Sequence, residues 1–487
     1  MENTRDLEVL IIGAGFGGLA AARSLRERGV SRITILERAD RIGGVWRDNT
    51  YPGAACDVPS PLYSWSWAPN PHWGRRYSPQ PEILAYIEQN AEREGLSDLV
   101  VTGVEVTSAT FDDATHRWLV GTAGGASYEA DVVISAVGQL SNPVIPNLPG
   151  RDTFAGPAFH SAEWRHDVDL TGQRVAVIGT GASAIQFVPG IVEDAGAITV
   201  FQRSAPYVVP KPDQEYRERH HRAFDRWPGL PRGERRFVFW LSEKLNAALE
   251  GQARWSKGLL ATMRTSWRLN LRRHIKDPAL RAKLTPDYEI GCKRILFSNH
   301  WYPALAQPHA DVVTDAVAAV EPGGVRDANG VLHEADVLIW GTGFAATDFL
   351  SGIDVTGREG RTLAESWRDG ARAYRGVAIA GFPNFFCIYG PNTNLGGSSI
   401  IGMMEAQAGW IAAVVARLQG GSATVEVTQA AYDTYDAEMQ SRLQNSVWST
   451  CSSWYRDGDR ITTNWPGQVG EYQGRLAAVD WSDLEVR

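Results

Sequence analysis

One glycine pattern, written twice, constrains this chain more than any other feature. The first copy starts at Val9 as V-L-I-I-G-A-G-F-G-G, with Gly13, Gly15 and Gly18, and reaches Glu37 in T-I-L-E-R. The second starts at Val175 as V-A-V-I-G-T-G-A-S-A, with Gly179, Gly181, Ser183 and Ala184, and reaches Arg203 in T-V-F-Q-R. Each copy predicts an apolar strand, a tight turn, a helix and a second strand. The first glycine permits the turn, and the second lets the backbone approach a pyrophosphate. The third, or Ala184, lets helix and strand pack closely, with the pyrophosphate on the positive helix N-terminus. Glu37 suits the hydroxyls of a bare ribose, and Arg203 suits a 2′-phosphate. Two dinucleotides are implied, one without and one with that phosphate, and FAD with NADPH is the natural pair. The fold class expected is α/β, with two doubly wound dinucleotide-binding domains.

A chain of 487 residues is too long for one core. Its net charge of −8 argues against nucleic acid as a principal partner. Four cysteines, at 56, 292, 387 and 451, form no C-x-x-C. That spacing disfavours a disulfide scaffold, a zinc site or a redox dithiol, and suits a reducing cytoplasm. The histidines show no ligand spacing, so no metal is expected. The chain enters its first strand within a few residues of Met1, which predicts no signal peptide. The apolar stretch 400–418 is interrupted by Glu405, Gln407 and Arg417 and reads as a core helix, without stable membrane insertion. Tryptophan is in excess, with 18 residues, which leaves room for an aromatic-lined pocket.

Three prolines in L-S-N-P-V-I-P-N-L-P-G (140–150) read as a linker. The buried strand A-D-V-V-I-S-A-V-G (130–138) has a counterpart far downstream in A-D-V-L-I-W-G-T-G (335–343), so the second domain is interrupted. These signals predict an FAD domain from 1–145 and 385–487, an NADPH domain from 146–210 and 291–384, and a helical insert over 211–290. Within the insert, Leu241, Leu245 and Leu249, then Leu259, Met263, Trp267 and Leu271, recur at helical spacing. The insert holds 18 Lys and Arg against 10 Asp and Glu. A solvated face that attracts nucleotide phosphates accounts for this. A peripheral membrane contact through Trp227, Trp240, Trp255 and Trp267 stays open as an alternative.

Further motifs resemble the type I Baeyer–Villiger monooxygenases along nearly the whole chain. F-A-G-P-A-F-H-S-A-E-W (154–164) matches that family's F-x-G-x-x-x-H-x-x-x-W fingerprint through Phe154, Gly156, His160 and Trp164. G-G-V-W-R-D-N-T-Y-P-G-A-A-C-D (43–57) resembles its second signature, with Gly44, Trp46, Tyr51 and Asp57. G-C-K-R (291–294) is similar to the segment that supplies the family's active-site arginine, and G-P-N-T-N (390–394) and W-P-G (465–467) also match. Arg165 departs from the family, which has Pro or Asp after Trp164, and this puts the local turn in question.

The resemblance implies a ketone-oxidising flavin monooxygenase that uses FAD, NADPH and O2 to make an ester or lactone through a flavin C4a-peroxide. Arg294 would stabilise the anionic oxygen, with Asp57 orienting it. Gly44, Trp46, Asp57 and Asn392 would join Gly13, Gly15, Gly18 and Glu37 around FAD. Ser204, Lys293 and Trp465 would join Gly179, Gly181, Ser183 and Arg203 around NADP. His160 and Trp164 would couple the domains. Gln139 and the loop carrying Gly396 and Gly397 would border a roomy, apolar pocket for a small ketone. An enzyme of the same class that oxygenates nitrogen or sulfur is the alternative, and so is a nucleotide-binding protein whose flavin site has decayed.

Overall fold

The computed structural model describes residues 5–251, 255–350 and 352–487. Its two main sheets are parallel and built alike. In the first, the strands run in the order Phe385–Cys387, Val132–Ser135, Glu8–Ile12, Arg32–Glu37, Val100–Thr102. In the second the order is Ala310–Val313, Ala197–Phe201, Arg174–Ile178, Val337–Trp340, Ala158–His160. The central strands are continuous apolar runs because helices cover both faces of such sheets. Val9 pairs with Val132 in the first sheet, and Val175 with Val337 in the second.

That symmetry explains the first glycine of each motif. A Cβ on Gly13 would lie 2.7 Å from the Ala136 carbonyl oxygen, and one on Gly179 would strike the Gly341 carbonyl oxygen. Both glycines also hold a positive φ, at 103° and 112°. In each domain the neighbouring strand end passes directly over the turn, and no side chain fits between them.

The chain returns to the first domain earlier than the expected boundary at 385. Asp354–Thr356 pairs with the strand Val106–Asp112 of the first body, and Leu350, Leu363, Tyr374 and Val377 belong to its core. The reason is packing: the strand Asp354–Thr356 extends a small sheet of the first domain, and these side chains bury themselves in its core. The helix Ile401–Gln419 then packs along Phe16–Glu27.

The insert is helical, with helices Glu218–Arg226, Gly229–Glu250, Ser256–His274 and Pro278–Lys283. The longest of these is a strut between the two bodies. Val238 joins the first core and Leu249 the second. Arg235 donates to the Pro61 carbonyl at 2.7 Å, and Glu243 accepts from the Val469 N–H at 2.8 Å. Its leucine row is graded: Leu241 is exposed, Leu245 half-buried and Leu249 buried.

Candidate active site

Both glycine turns feed helices whose N-termini carry no side-chain cap and no acidic residue in the first turn, Phe16–Glu27 and Ala184–Ile191. Their first N–H groups stay available to an anion, as a pyrophosphate requires. At the first turn Gly15 and Gly44 approach so closely that a Cβ on Gly44 would lie 3.2 Å from the Gly15 Cα. At the second, nothing lies within 4 Å of where a Gly181 Cβ would stand, and Ser183 takes the N-cap position.

Glu37 is buried at the end of its strand. Its carboxylate accepts from the Ala14 N–H at 2.9 Å, the Ala39 N–H at 3.0 Å and the Arg47 guanidinium at 2.9 Å. A carboxylate has about four acceptor sites, so one remains for a ribose hydroxyl. Arg47 is a member of this site that sequence reasoning missed, although it lies inside the G-G-V-W-R motif. Trp46, beside it, donates its indole N–H to the Tyr63 hydroxyl at 3.1 Å. Gln139 is buried and donates to the Tyr389 and Gly390 carbonyls at 3.0 and 3.1 Å. Its Oε1 finds no partner among the described residues. The open helix N-terminus, the bare backbone of Gly15 and Gly44, and this orphaned acceptor fit a bound FAD. Asn392 differs from expectation: its side-chain amide is spent on the Ile461 and Asn464 carbonyls, at 2.8 and 3.1 Å, so it holds the 461–464 segment in place.

On the second domain, Lys293 Nζ donates to Ser204 Oγ at 2.8 Å, and burial followed by the Arg203 charge lowers its pKa. Arg203, Ser204 and Lys293 thus lie together as one cationic group. Trp465 does not reach it. Its indole is fully buried in the first body, donates to the Gln468 carbonyl at 3.0 Å, and packs against the guanidinium groups of Arg442 and Arg475.

Arg294 and Asp57, 237 residues apart, meet between the domains. Arg294 Nη2 and Nε both donate to Asp57 Oδ2, at 2.6 and 2.9 Å, and Nη1 donates to the Leu395 carbonyl at 3.3 Å. The Asp57 charge outweighs burial and raises the Arg294 pKa further above its ordinary value. Buried Tyr389 and Tyr455 face the same guanidinium, whose charge works against the rise that burial imposes on both phenols. Lys211 approaches from the start of the insert and donates to the Cys56 carbonyl at 3.1 Å. No spacing rule links these three to Arg294, and sequence reading missed them.

The domains touch mainly through the 51–55 loop. Tyr51 donates to Gln186 Oε1 at 3.1 Å, Gln186 Nε2 donates to the Ala55 carbonyl at 3.0 Å, and a Cβ on Gly53 would lie 2.8 Å from the Gln186 carbonyl oxygen. Trp164 packs edge-on against Phe159 and leans on Phe187. His160 is fully buried on the edge strand, paired with Trp340, and its Nδ1 accepts from the Ala162 N–H at 3.1 Å. Arg165, the departure from the fingerprint, leaves the turn intact: its carbonyl accepts from the Val168 N–H at 3.2 Å.

Two expectations are corrected. Cys292 and Cys451 form a disulfide, with Cα atoms 6.1 Å apart, while Cys56 and Cys387 are free and buried. The bond ties the residue before Lys293 and Arg294 to the loop that carries Tyr455, a proximity created by the fold and invisible in the spacing. Gly396 and Gly397 serve a different neighbour from the one expected. A Cβ on Gly396 would lie 2.5 Å from Leu249 Cδ1, and one on Gly397 2.5 Å from Leu245 Cδ2, and neither glycine has a positive φ. Their missing side chains admit the strut helix. The cavity beside this loop, about 690 Å³, is bordered by Ser398 and Ser399 and has a mixed lining, with Leu62, Phe239 and Val469 among Arg232, Arg235, Arg236 and Glu405.

Two dinucleotide cradles facing an arginine–carboxylate pair define a flavin- and nicotinamide-dependent oxidoreductase. Residues 10–219 match the family described as pyridine nucleotide-disulphide oxidoreductase. The Cys292–Cys451 bond lies outside that match. The chain is 45% identical to a Baeyer-Villiger monooxygenase of Streptomyces coelicolor, covering 99% of this chain and 92% of that protein. It is 42% identical to one of Pseudomonas aeruginosa, covering 98% and 91%. Among solved structures it superposes on steroid monooxygenase bound to NADP, with a TM-score of 0.86 and 32% identity, and on cyclohexanone monooxygenase, with 0.87 and 28%, each over 99% of both chains. The chain belongs to the Baeyer–Villiger monooxygenases, and its cofactors are FAD and NADP(H).

Proposed function

We propose that this monooxygenase converts apolar ketones to esters or lactones, with Arg294 as the catalytic residue and Asp57 as its positioning partner. The observation that carries this reading is the clamp on Arg294, whose guanidinium donates twice to the Asp57 carboxylate and once to the Leu395 carbonyl. Bound FAD, reduced by NADPH, would supply the electrons that activate O2, the source of the inserted oxygen atom. Arg294 contributes a fixed positive charge that cannot be lost as a proton, which favours negative charge on an adjacent oxygen. An anionic oxygen attacks a carbonyl carbon, whereas heteroatom oxygenation needs no such cation. Arg203, Ser204 and Lys293 supply the donors for a 2′-phosphate, and a bound dianion would relieve the mutual repulsion of the two cations.

The test is oxygen-dependent NADPH oxidation across cyclic, linear and aryl ketones, with mass spectrometry for the gain of one oxygen atom. Arg294→Ala should still bind FAD and be reduced by NADPH, since neither step needs the guanidinium, and ester formation should vanish. Undiminished ester formation by that variant would sink the mechanism. Wild-type enzyme that oxygenates thioethers and leaves every ketone untouched would move the reading to heteroatom chemistry.

A further inference from the structure

We propose that the helical insert docks the enzyme on the surface of an anionic lipid bilayer. Among the described residues, thirteen large hydrophobic side chains are exposed, and seven of them fall within 227–269. These include the four most exposed of all: Leu269 at 64%, Phe237 at 58%, Trp227 at 55% and Trp240 at 54%. Scattered exposure is normal for a soluble protein, but this concentration in one segment is not.

Leu230, Phe237, Trp240 and Trp255 form one connected patch. Leu230 and Phe237 border the same groove, and Phe237 stacks on Trp240 with ring centroids 6.2 Å apart. Lys244 Nζ lies 5.7 Å from the Trp240 ring and 5.5 Å from the Trp255 ring, joining two helices into a single aromatic surface. Arg226 lies over Trp227 at 5.4 Å.

The charge of the segment points to its occupant. Residues 219–273 hold thirteen Lys and Arg against four Asp and Glu, in a chain whose net charge is −8. Glu243 and Glu250 are buried and Glu234 pairs with Arg76 at 2.8 Å, which leaves Asp225 as the one exposed carboxylate there. Exposed tryptophans interleaved with cations suit the headgroup layer of an anionic leaflet, where indole rings settle and arginine side chains reach the phosphates. A symmetric dimer through the same patch would set this surplus of positive charge against itself. No helix among the described residues is long and apolar enough to cross a membrane, so the contact lies on the surface. The patch also neighbours the cavity: Arg232 and Arg236, on the same helix, are exposed and line it. Docking goes beyond the ketone assignment and stands without it.

The FAD-loaded full chain should co-sediment with vesicles of equal parts phosphatidylglycerol and phosphatidylcholine, should stay in solution with phosphatidylcholine alone, and should be released by added salt. Trp227→Ser with Trp240→Ser should weaken sedimentation roughly tenfold or more. Flavin content and turnover of a water-soluble ketone should be unchanged, because both side chains face solvent. Arg226→Glu should weaken binding independently of the aromatics. Absence of binding to the anionic vesicles overturns the proposal, as does binding that the tryptophan substitutions leave intact. Concentration-dependent dimerisation in sedimentation velocity that those substitutions abolish, with no vesicle binding, would assign the patch to a second copy of the chain instead.

Discussion

Burial of His160 at the edge of the second sheet lowers its pKa to about 4, so the ring is neutral at physiological pH and accepts a backbone hydrogen bond in place of shuttling protons. In the unfolded chain the same ring titrates near about 6.5. Between those values the unfolded state binds more protons, so stability rises with pH across that window. The contribution is fully present above the unfolded pKa and is lost as pH falls toward the folded one, on the order of 3 kcal/mol. His160→Gln keeps an acceptor and removes the titration. Its unfolding midpoint should therefore fall less steeply than wild type on acidification from about pH 6.5 to 4.5. Parallel slopes would show that other groups carry the acid sensitivity. Arg203 makes a prediction of a different kind. A charge-assisted contact contributes about 1.5–3 kcal/mol, so Arg203→Ala should raise the Michaelis constant for NADPH roughly ten- to a hundredfold and leave that for NADH nearly unchanged. Wild-type enzyme that already prefers NADH would show that Arg203 does not read the ribose.

Gly397 and Leu245 lie on two elements that the chain brings together from 152 positions apart. The loop crosses the strut helix Gly229–Glu250 with no room for a methyl group, since a Gly397 Cβ would stand 2.5 Å from Leu245 Cδ2 and 2.8 Å from its Cγ. Gly397→Ala should cost about 1–3 kcal/mol as overpacking, because its φ lies outside the left-handed region and the backbone itself tolerates a side chain. In a Leu245→Ala background the clash disappears, and the same substitution should cost little. Thermal unfolding of the four proteins in that cycle measures the coupling. Simple additivity would mean that the loop backs away from the helix in solution. The helix itself was legible from its leucine spacing, but its direction was not. The periodicity marked Leu241, Leu245 and Leu249 as one face without revealing that only its C-terminal half is covered.

At the scale of the whole molecule, the Asp57–Arg294 pair spans the domain boundary, and the Cys292–Cys451 disulfide fastens the 447–455 segment to the second core. The disulfide closes a loop of 159 residues that contains Arg294. Cys451→Ser should lower stability by about 2–4 kcal/mol, read as a fall in the thermal midpoint with FAD bound, and non-reducing peptide mapping of wild type should recover the linked pair. Two free thiols in that map, with an unchanged midpoint in the variant, would show that the bond does not form.

What the sequence determined by itself was local. A turn with φ of 103° or 112° requires glycine, a doubly covered strand requires an unbroken apolar run, and a residue at a strand's end meets the ribose of whatever lies on the turn. Those requirements act between near neighbours, so the two cradles, the α/β class and the reversal from Glu37 to Arg203 could be read directly. The matches around Asp57, His160 and Arg294 then marked the chemistry through family likeness. Only the tertiary structure decided what meets across long separations. It placed Asp57 on Arg294, Cys292 on Cys451 and Gln186 on the 51–55 loop. It also turned Gly396 and Gly397 toward the strut and packed Trp465 against two arginines. Each of these contacts follows from how whole elements pack, a sum of many small burial and van der Waals terms that no short stretch of sequence contains.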